Sequence, residues 1–248
     1  MTTTLKPAAL LIAMTLSFFF INNTNAQSFE WARAYGAQNL DEATDIQRDT
    51  LGNLYIVGTF KDTLQIDTIT LTTTATGDVF FAKFDSLGNV IWAKSIGGTG
   101  SEQGFSIGLD DNLNVYVAGS YQGAVNFSGT NITAIGTTSN FFVAKYNNNG
   151  VFSWVRNIYT PNININSLPF DGFDMAVAGD GSVFVTGVFQ GQVQFPNGNA
   201  AIPSSGSGNT PTSYLAKFNT NGTYNTGVNV SAATRTYVGS IAVDNQGN

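Results

Sequence analysis

The tryptophans of this chain of 248 residues are Trp31, Trp92 and Trp154, spaced 61 and 62 residues apart. The text around them repeats: FEWARAYG from Phe29, VIWAKSIG from Val90, FSWVRNIY from Phe152. Downstream come DIQRDTLGNLYIVGTF from Asp45, SIGLDDNLNVYVAGSY from Ser106 and DMAVAGDGSVFVTGVF from Asp174. FFAKFDSLGN, FVAKYNNNG and YLAKFNTNG follow from Phe80, Phe142 and Tyr214, so Gly58, Gly119 and Gly187 correspond, as do Lys83, Lys145 and Lys217. A repeat of this size means one supersecondary unit, unable to bury its apolar face alone, stacked on copies of itself.

Inside each unit the apolar period is two, as in Asn114-Val-Tyr-Val-Ala-Gly, and β-branched and aromatic residues fill the runs. Unit two reads as four strands: A, Phe105 to Asp110; B, Asn114 to Tyr121; C, Phe141 to Asn147; D, Val151 to Ile158. Gly or Asn in Asp49-Thr-Leu-Gly-Asn53, Asn147-Asn-Asn-Gly150 and Asn219-Thr-Asn-Gly222 suits tight hairpins. Beyond the first 26 residues every Pro falls between predicted strands, as a residue without an N–H should. The 27 Gly and a charged fraction of 10% fit a turn-rich all-β protein. Four antiparallel strands per repeat predict a β-propeller with repeats at about 29–89, 90–150, 151–222 and a truncated 223–248. A β-solenoid is the alternative, disfavoured because its coils are usually shorter than about 60 residues.

The pattern Trp-x-Lys-x-Ile-Gly-Gly, then Asn-x-Tyr-Val-x-Gly, then Phe-x-Ala-Lys-(Phe/Tyr), resembles the SBBP repeat of bacterial seven-bladed β-propellers, across residues 29 to 248. The resemblance implies an exported surface propeller, often within a longer protein, and no defined reaction. Unit three departs from it where Asp180-Gly181 shifts the turn and Pro-rich insertions lengthen the loops.

Lys6 precedes an apolar run from Ala8 to Ile21, followed by polar residues and Ala26, which predicts a signal peptide over 1–26 cleaved after Ala26. The run is short of the roughly 20 residues of a permanent span. The expected location is secreted or cell-surface, with no transmembrane segment in the mature chain. Strand A of a fourth unit, Val238 to Val243, leads to the turn Asp244 to Asn248, and a lone D-type strand, Phe29 to Tyr35, precedes the first unit. A fragment of a longer product is expected, with open edges prone to self-association.

With no His and no Cys, a Ser/His/Asp triad, a thiol nucleophile and an ordinary zinc site are excluded. A net charge of −6 without a basic cluster argues against nucleic acid. Strand parity puts A-to-B and C-to-D turns on one rim, and D-to-A and B-to-C connections on the other. The latter includes long loops at Lys61 to Asp78, Gln122 to Asn140 and Gln190 to Thr212, each with a stretch such as Leu64-Gln-Ile-Asp67 or Val125-Asn-Phe127 that suggests an extra hairpin. Long loops on a rigid scaffold commonly bind ligands, though these equally suit covering blade edges.

Acids of the D-to-A connections, Asp41, Glu42, Asp45, Glu102, Asp171 and Asp174, would gather at one channel mouth of a closed ring and are the ligand-binding candidates. No metal site or cofactor is assigned, a calcium ion being the cation to consider. Asp110-Asp111-Asn112 and Asp244-Asn245 read as turns because they lack the ligand spacing of an EF-hand. The tryptophans and repeat glycines read as structural core, and the lysines as snorkelling or pairing with a neighbouring blade. The expected function is non-enzymatic: an interaction or adhesion scaffold that binds protein or glycan on an extracellular surface. The alternative is a glycoside hydrolase or lyase using Asp41, Glu102 and Asp171.

Overall fold

The computed structural model describes residues 31–36, 39–136, 139–160, 173–195, 200–204, 210–230 and 238–244. The signal peptide over 1–26 and Asp171 lie outside the described residues. The chain divides into two compact units, Met1–Ala32 and Arg33–Asn248. In the first only Trp31, half-buried, and Ala32 are described.

Alternating apolar residues in the second unit make strands throughout. The first repeat gives β1 (Glu42–Arg48), β2 (Leu54–Phe60), β3 (Thr63–Ile66), β4 (Ile69–Thr72), β5 (Asp78–Phe84) and β6 (Val90–Gly98). The second gives β7 (Gln103–Leu109), β8 (Val115–Tyr121), β9 (Ala124–Phe127), β10 (Thr130–Thr133), β11 (Asn140–Tyr146) and β12 (Phe152–Ile158). The third gives β13 (Asp174–Val177), β14 (Val183–Phe189), β15 (Gln192–Gln194), β16 (Ala201–Pro203), β17 (Thr212–Phe218) and β18 (Tyr224–Asn229). The antiparallel orders β1-β2-β5-β6, β7-β8-β11-β12 and β13-β14-β17-β18 are the predicted A-B-C-D blades of a β-propeller. Each B-to-C connection folds the extra hairpin: β3-β4, β9-β10 and β15-β16.

Blades stack face to face, with strand A innermost, so that β7 lies between β1 and β13. Every residue of β5 and of β8 is buried, as strands covered on both faces require. One core joins the first two blades through Tyr55, Phe81 and Ile96 against Val117, Phe142 and Tyr146. A second joins blades two and three through Tyr116, Val143 and Ile158 against Val185, Phe195 and Tyr214. At the outer side of blade one, Phe60, Leu64, Ile66, Phe80 and Phe84 form a smaller cluster with Tyr35.

The repeat glycines answer to close approach. Strand A is bulged between Ala43 and Asp45, and again between Gly104 and Ser106. A Cβ on Gly58 would lie 2.0 Å from the Glu42 carbonyl, and one on Gly119 2.1 Å from that of Gln103. Gly187 faces the Tyr214 ring, 2.8 Å from such a Cβ.

Three expectations are corrected. Residues 31–36 and 238–244 form no strand, because a D-type or A-type segment needs a C or B neighbour to complete its ladder. Pro203 is inside β16, at its last position on a short outer strand, where no N–H is demanded. Trp92 and Trp154 are half-buried clamps at blade boundaries, not interior core.

Candidate functional site: the long-loop rim

The hairpins on the long-loop rim are two-sided. Leu64 and Ile66, Val125 and Phe127, Val193 and Phe195 point inward and are buried. Gln65, Thr70, Asn126 and Asn131 point outward and are exposed or half-buried. Cross-strand partners bond on that outer face: Thr70 Oγ1 donates to Gln65 Oε1 at 2.6 Å, and Asn126 Nδ2 to Asn131 Oδ1 at 2.6 Å. These are corresponding positions of successive repeats, so each of the two hairpins carries the same outward pair of neutral polar side chains. The hairpin of blade two also extends the sheet of blade one, pairing Gly97 with Asn126 and Gly98 with Val125. Tyr159 and Gln194 repeat this contact at the next boundary.

The acids have separate places. Asp45 Oδ2 accepts from Ser106 Oγ at 3.1 Å and from Ile107 N at 2.9 Å, across the first blade boundary. Asp174 Oδ2 accepts from Ser240 Oγ at 2.8 Å and Ile241 N at 2.9 Å, the same bond two repeats on. Asp45, Ser106, Asp174 and Ser240 occupy one repeat position with Asp and Ser alternating, so each Asp clasps the following A segment. Asp41 Oδ1 accepts from Lys61 N at 3.4 Å, and Glu42 is exposed. Glu102, at the repeat position of Asp41, is fully buried and neither oxygen has a hydrogen-bond partner. Burial, helped by the Asp78 charge, pushes its carboxyl up to about 8; the Gly98 and Gln122 amides lie close enough to pull the other way but not in the geometry of a hydrogen bond. Among the described residues there is no group of three or more His, Cys, Asp or Glu able to hold a metal.

The opposite rim holds polar centres built from residues read in the sequence as turns and as lysines that snorkel or pair with a neighbouring blade; Lys83 does the latter. Asp49 Oδ1 caps Leu51 N at 2.9 Å and Asn53 N at 2.8 Å, while its Oδ2 meets Tyr55 Oη at 3.2 Å. Burial would raise this carboxyl, but the bonds from Asn53, Leu51 and Tyr55 outweigh it and hold it low. Tyr55 Oη is 2.9 Å from Asn148 Oδ1 of the next blade, and Lys83 Nζ, over the Tyr55 ring, donates to the same oxygen. Blade two repeats the arrangement with Asp110, Tyr116 and Lys145, the ion pair being 3.4 Å. Blade three lacks the acid, having Ala178, and Lys217 lies over Phe184. The tryptophans act beside these centres. Trp92 Nε1 donates to Asn148 O at 3.1 Å, and Trp154 stacks under Arg156, whose Nε donates to Gly222 O at 2.8 Å. The recurrence of Asp six residues before Tyr was the available signal, since both Asp49/Tyr55 and Asp110/Tyr116 keep it.

No family model matches the chain. A WD repeat-containing protein of Acanthamoeba polyphaga mimivirus is similar to it, at 24% identity over 222 residues. This is a likeness between propeller repeats. The match takes in 76% of this chain and 16% of the viral protein, so the chain spans a small part of that relative's length. Together with three A-B-C-D sheets, the likeness fits a β-propeller repeat protein. Among the described residues no helix is long and apolar enough to cross a membrane.

Proposed function

We propose that this chain is an exported, non-enzymatic propeller scaffold that engages a protein or glycan on an extracellular surface through its long-loop rim. The carrying observation is the repeated outward pair on two successive hairpins, Gln65 with Thr70 and Asn126 with Asn131, neutral groups that both donate and accept hydrogen bonds. Such groups match sugar hydroxyls and peptide backbones without needing a charged ligand. The SBBP-type resemblance of the repeats and the leader-like 1–26 support export, and the likeness to a WD repeat-containing protein supports a repeat scaffold. Against the glycosidase alternative, Glu102 is fully buried where no sugar can reach it.

The test is a glycan array and an extracellular-matrix binding screen with the full chain, beside a reducing-sugar release assay. Binding should fall at least about tenfold in a Gln65→Ala, Asn126→Ala, Asn131→Ala triple variant whose thermal midpoint is unchanged, as exposed substitutions move stability by about 0.5 kcal/mol or less. Unaltered binding by that variant would place recognition elsewhere. Sugar release abolished by Asp41→Asn would replace the scaffold reading with an enzyme.

A further inference from the structure

Asp78 begins β5 and Glu102 immediately precedes β7, so the two come from successive repeats and meet beneath the long-loop rim. Both are fully buried. Neither pairs with Lys or Arg among the described residues, where the ion pair formed is Lys145–Asp110 at 3.4 Å. The stem of Lys61 runs past Gly77 without reaching either carboxylate in an ion pair. Asp78 has Thr74 as its partner: Thr74 N donates to Oδ2 at 3.0 Å, and Thr74 Oγ1 sits 3.2 Å from the same oxygen while donating to Gly98 O at 2.9 Å. Glu102 has none for either oxygen. Its amide donates to Gly77 O at 2.9 Å, which fixes the backbone beside Asp78. Gly97 backs directly onto Asp78, since a Cβ there would fall 1.9 Å from Asp78 Oδ2.

Two neighbouring carboxylates withdrawn from water repel each other and have lost hydration, a cost of several kcal/mol that either a bound proton or a counter-charge relieves. Both are raised accordingly, Asp78 by burial and Glu102 by burial and the Asp78 charge. The atoms nearby are carboxylate, hydroxyl and carbonyl oxygens, the ligand set of a hard cation, and calcium tolerates irregular oxygen geometry better than magnesium does. Asn140 stands at the repeat position of Asp78 and caps Ile135 N at 2.8 Å. That cap needs no charge, so the acid at Asp78 is more than a turn requires.

We propose that Asp78 and Glu102, with Thr74 Oγ1 and the Gly98 carbonyl oxygen, form a calcium site that ties the B-to-C loop of blade one to the D-to-A turn of blade two. The ion replaces the missing partner of Glu102 and cancels the repulsion between the carboxylates. Because it joins the two connections carrying the rim, it couples rim order to calcium concentration. Among the described residues one such site follows, since Asn140 and Thr212 stand at the Asp78 position in the next two repeats.

The experiment is thermal unfolding of the full chain at mildly alkaline pH in chelator, then in millimolar calcium chloride or magnesium chloride at matched ionic strength, with calorimetric titration of calcium. Calcium should raise the midpoint by about 5 °C, magnesium by less, and the titration should give one site. Asp78→Asn, the residue the protein itself uses at Asn140, and Glu102→Gln should each abolish the shift and raise the midpoint in chelator. No calcium shift in the wild-type chain, or a shift that survives Asp78→Asn, overturns the proposal. Equal stabilisation by both ions would reduce it to screening of the rim.

Discussion

At the scale of single residues, close approach and ionisation decide what can be changed. Gly119→Ala places a methyl 2.1 Å from the Gln103 carbonyl and 3.0 Å from the Phe142 ring, both within packed strands. It should cost about 3 kcal/mol in urea unfolding. Gly129→Ala meets no atom within 4 Å, but φ of +98° is strained for any side chain, and about 1 kcal/mol is expected. Glu102 gives the chain a pH dependence. Folding raises its carboxyl from 4.5 to about 8, so the folded state keeps a proton that the unfolded chain releases. In chelator its stabilising contribution should be complete below 4.5 and decline as pH rises towards 8. Asp49 has the opposite sign: held low, it contributes at higher pH, and that contribution is lost as pH falls into the acid range. Denaturant midpoints measured from acid to mildly alkaline pH should show a decline that Glu102→Gln flattens. A decline unchanged in that variant would assign the titration to another group.

At the scale of elements, burial and ladder position set an order of stability among the strands. β8 is buried at every residue and hydrogen-bonded on both sides by β7 and β11, whereas β1 is mostly exposed and β18 only partly covered. Hydrogen exchange read by mass spectrometry should find β5 and β8 slowest, with β1 and β18 exchanging first. The β9-β10 hairpin should be slow for a rim element because Phe127 is fully buried, 5.0 Å from the Phe142 ring centroid, and β9 pairs with β6. Phe127→Ala should destabilise by about 3 to 5 kcal/mol and expose the rim hairpin to exchange.

At the scale of the whole molecule, one repeat position has different surroundings in different blades. Ile46 is 53% exposed while its counterpart Ile107 is 1% exposed, and Val230 is 42% exposed where Ile96 is 1%. The outer faces of blades one and three are therefore two halves of the interface that joins the inner blades. Light scattering coupled to gel filtration should show concentration-dependent association of this chain. Ile46→Lys should weaken it with a stability change of about 0.5 kcal/mol or less. Ile107→Lys, which buries a charge in a packed boundary, should unfold the protein instead.

The sequence by itself determined the repeat, the strand period, the A-B-C-D order and the extra hairpins, because alternation and Gly or Asn turns are local properties written in consecutive residues. It also marked the positions that join blades, since the tryptophans, lysines and glycines recur in register. What those residues touch was decided by tertiary structure. Asp45 and Asp174 each clasp the next A segment, a contact the sequence did not announce because a partner about sixty residues away has no local signature. Asp78 and Glu102 sit 24 residues apart in different repeats, and only blade stacking withdraws both from water. A carboxylate's charge and affinity follow from its solvation and neighbours, and stacking, not the local sequence, sets both.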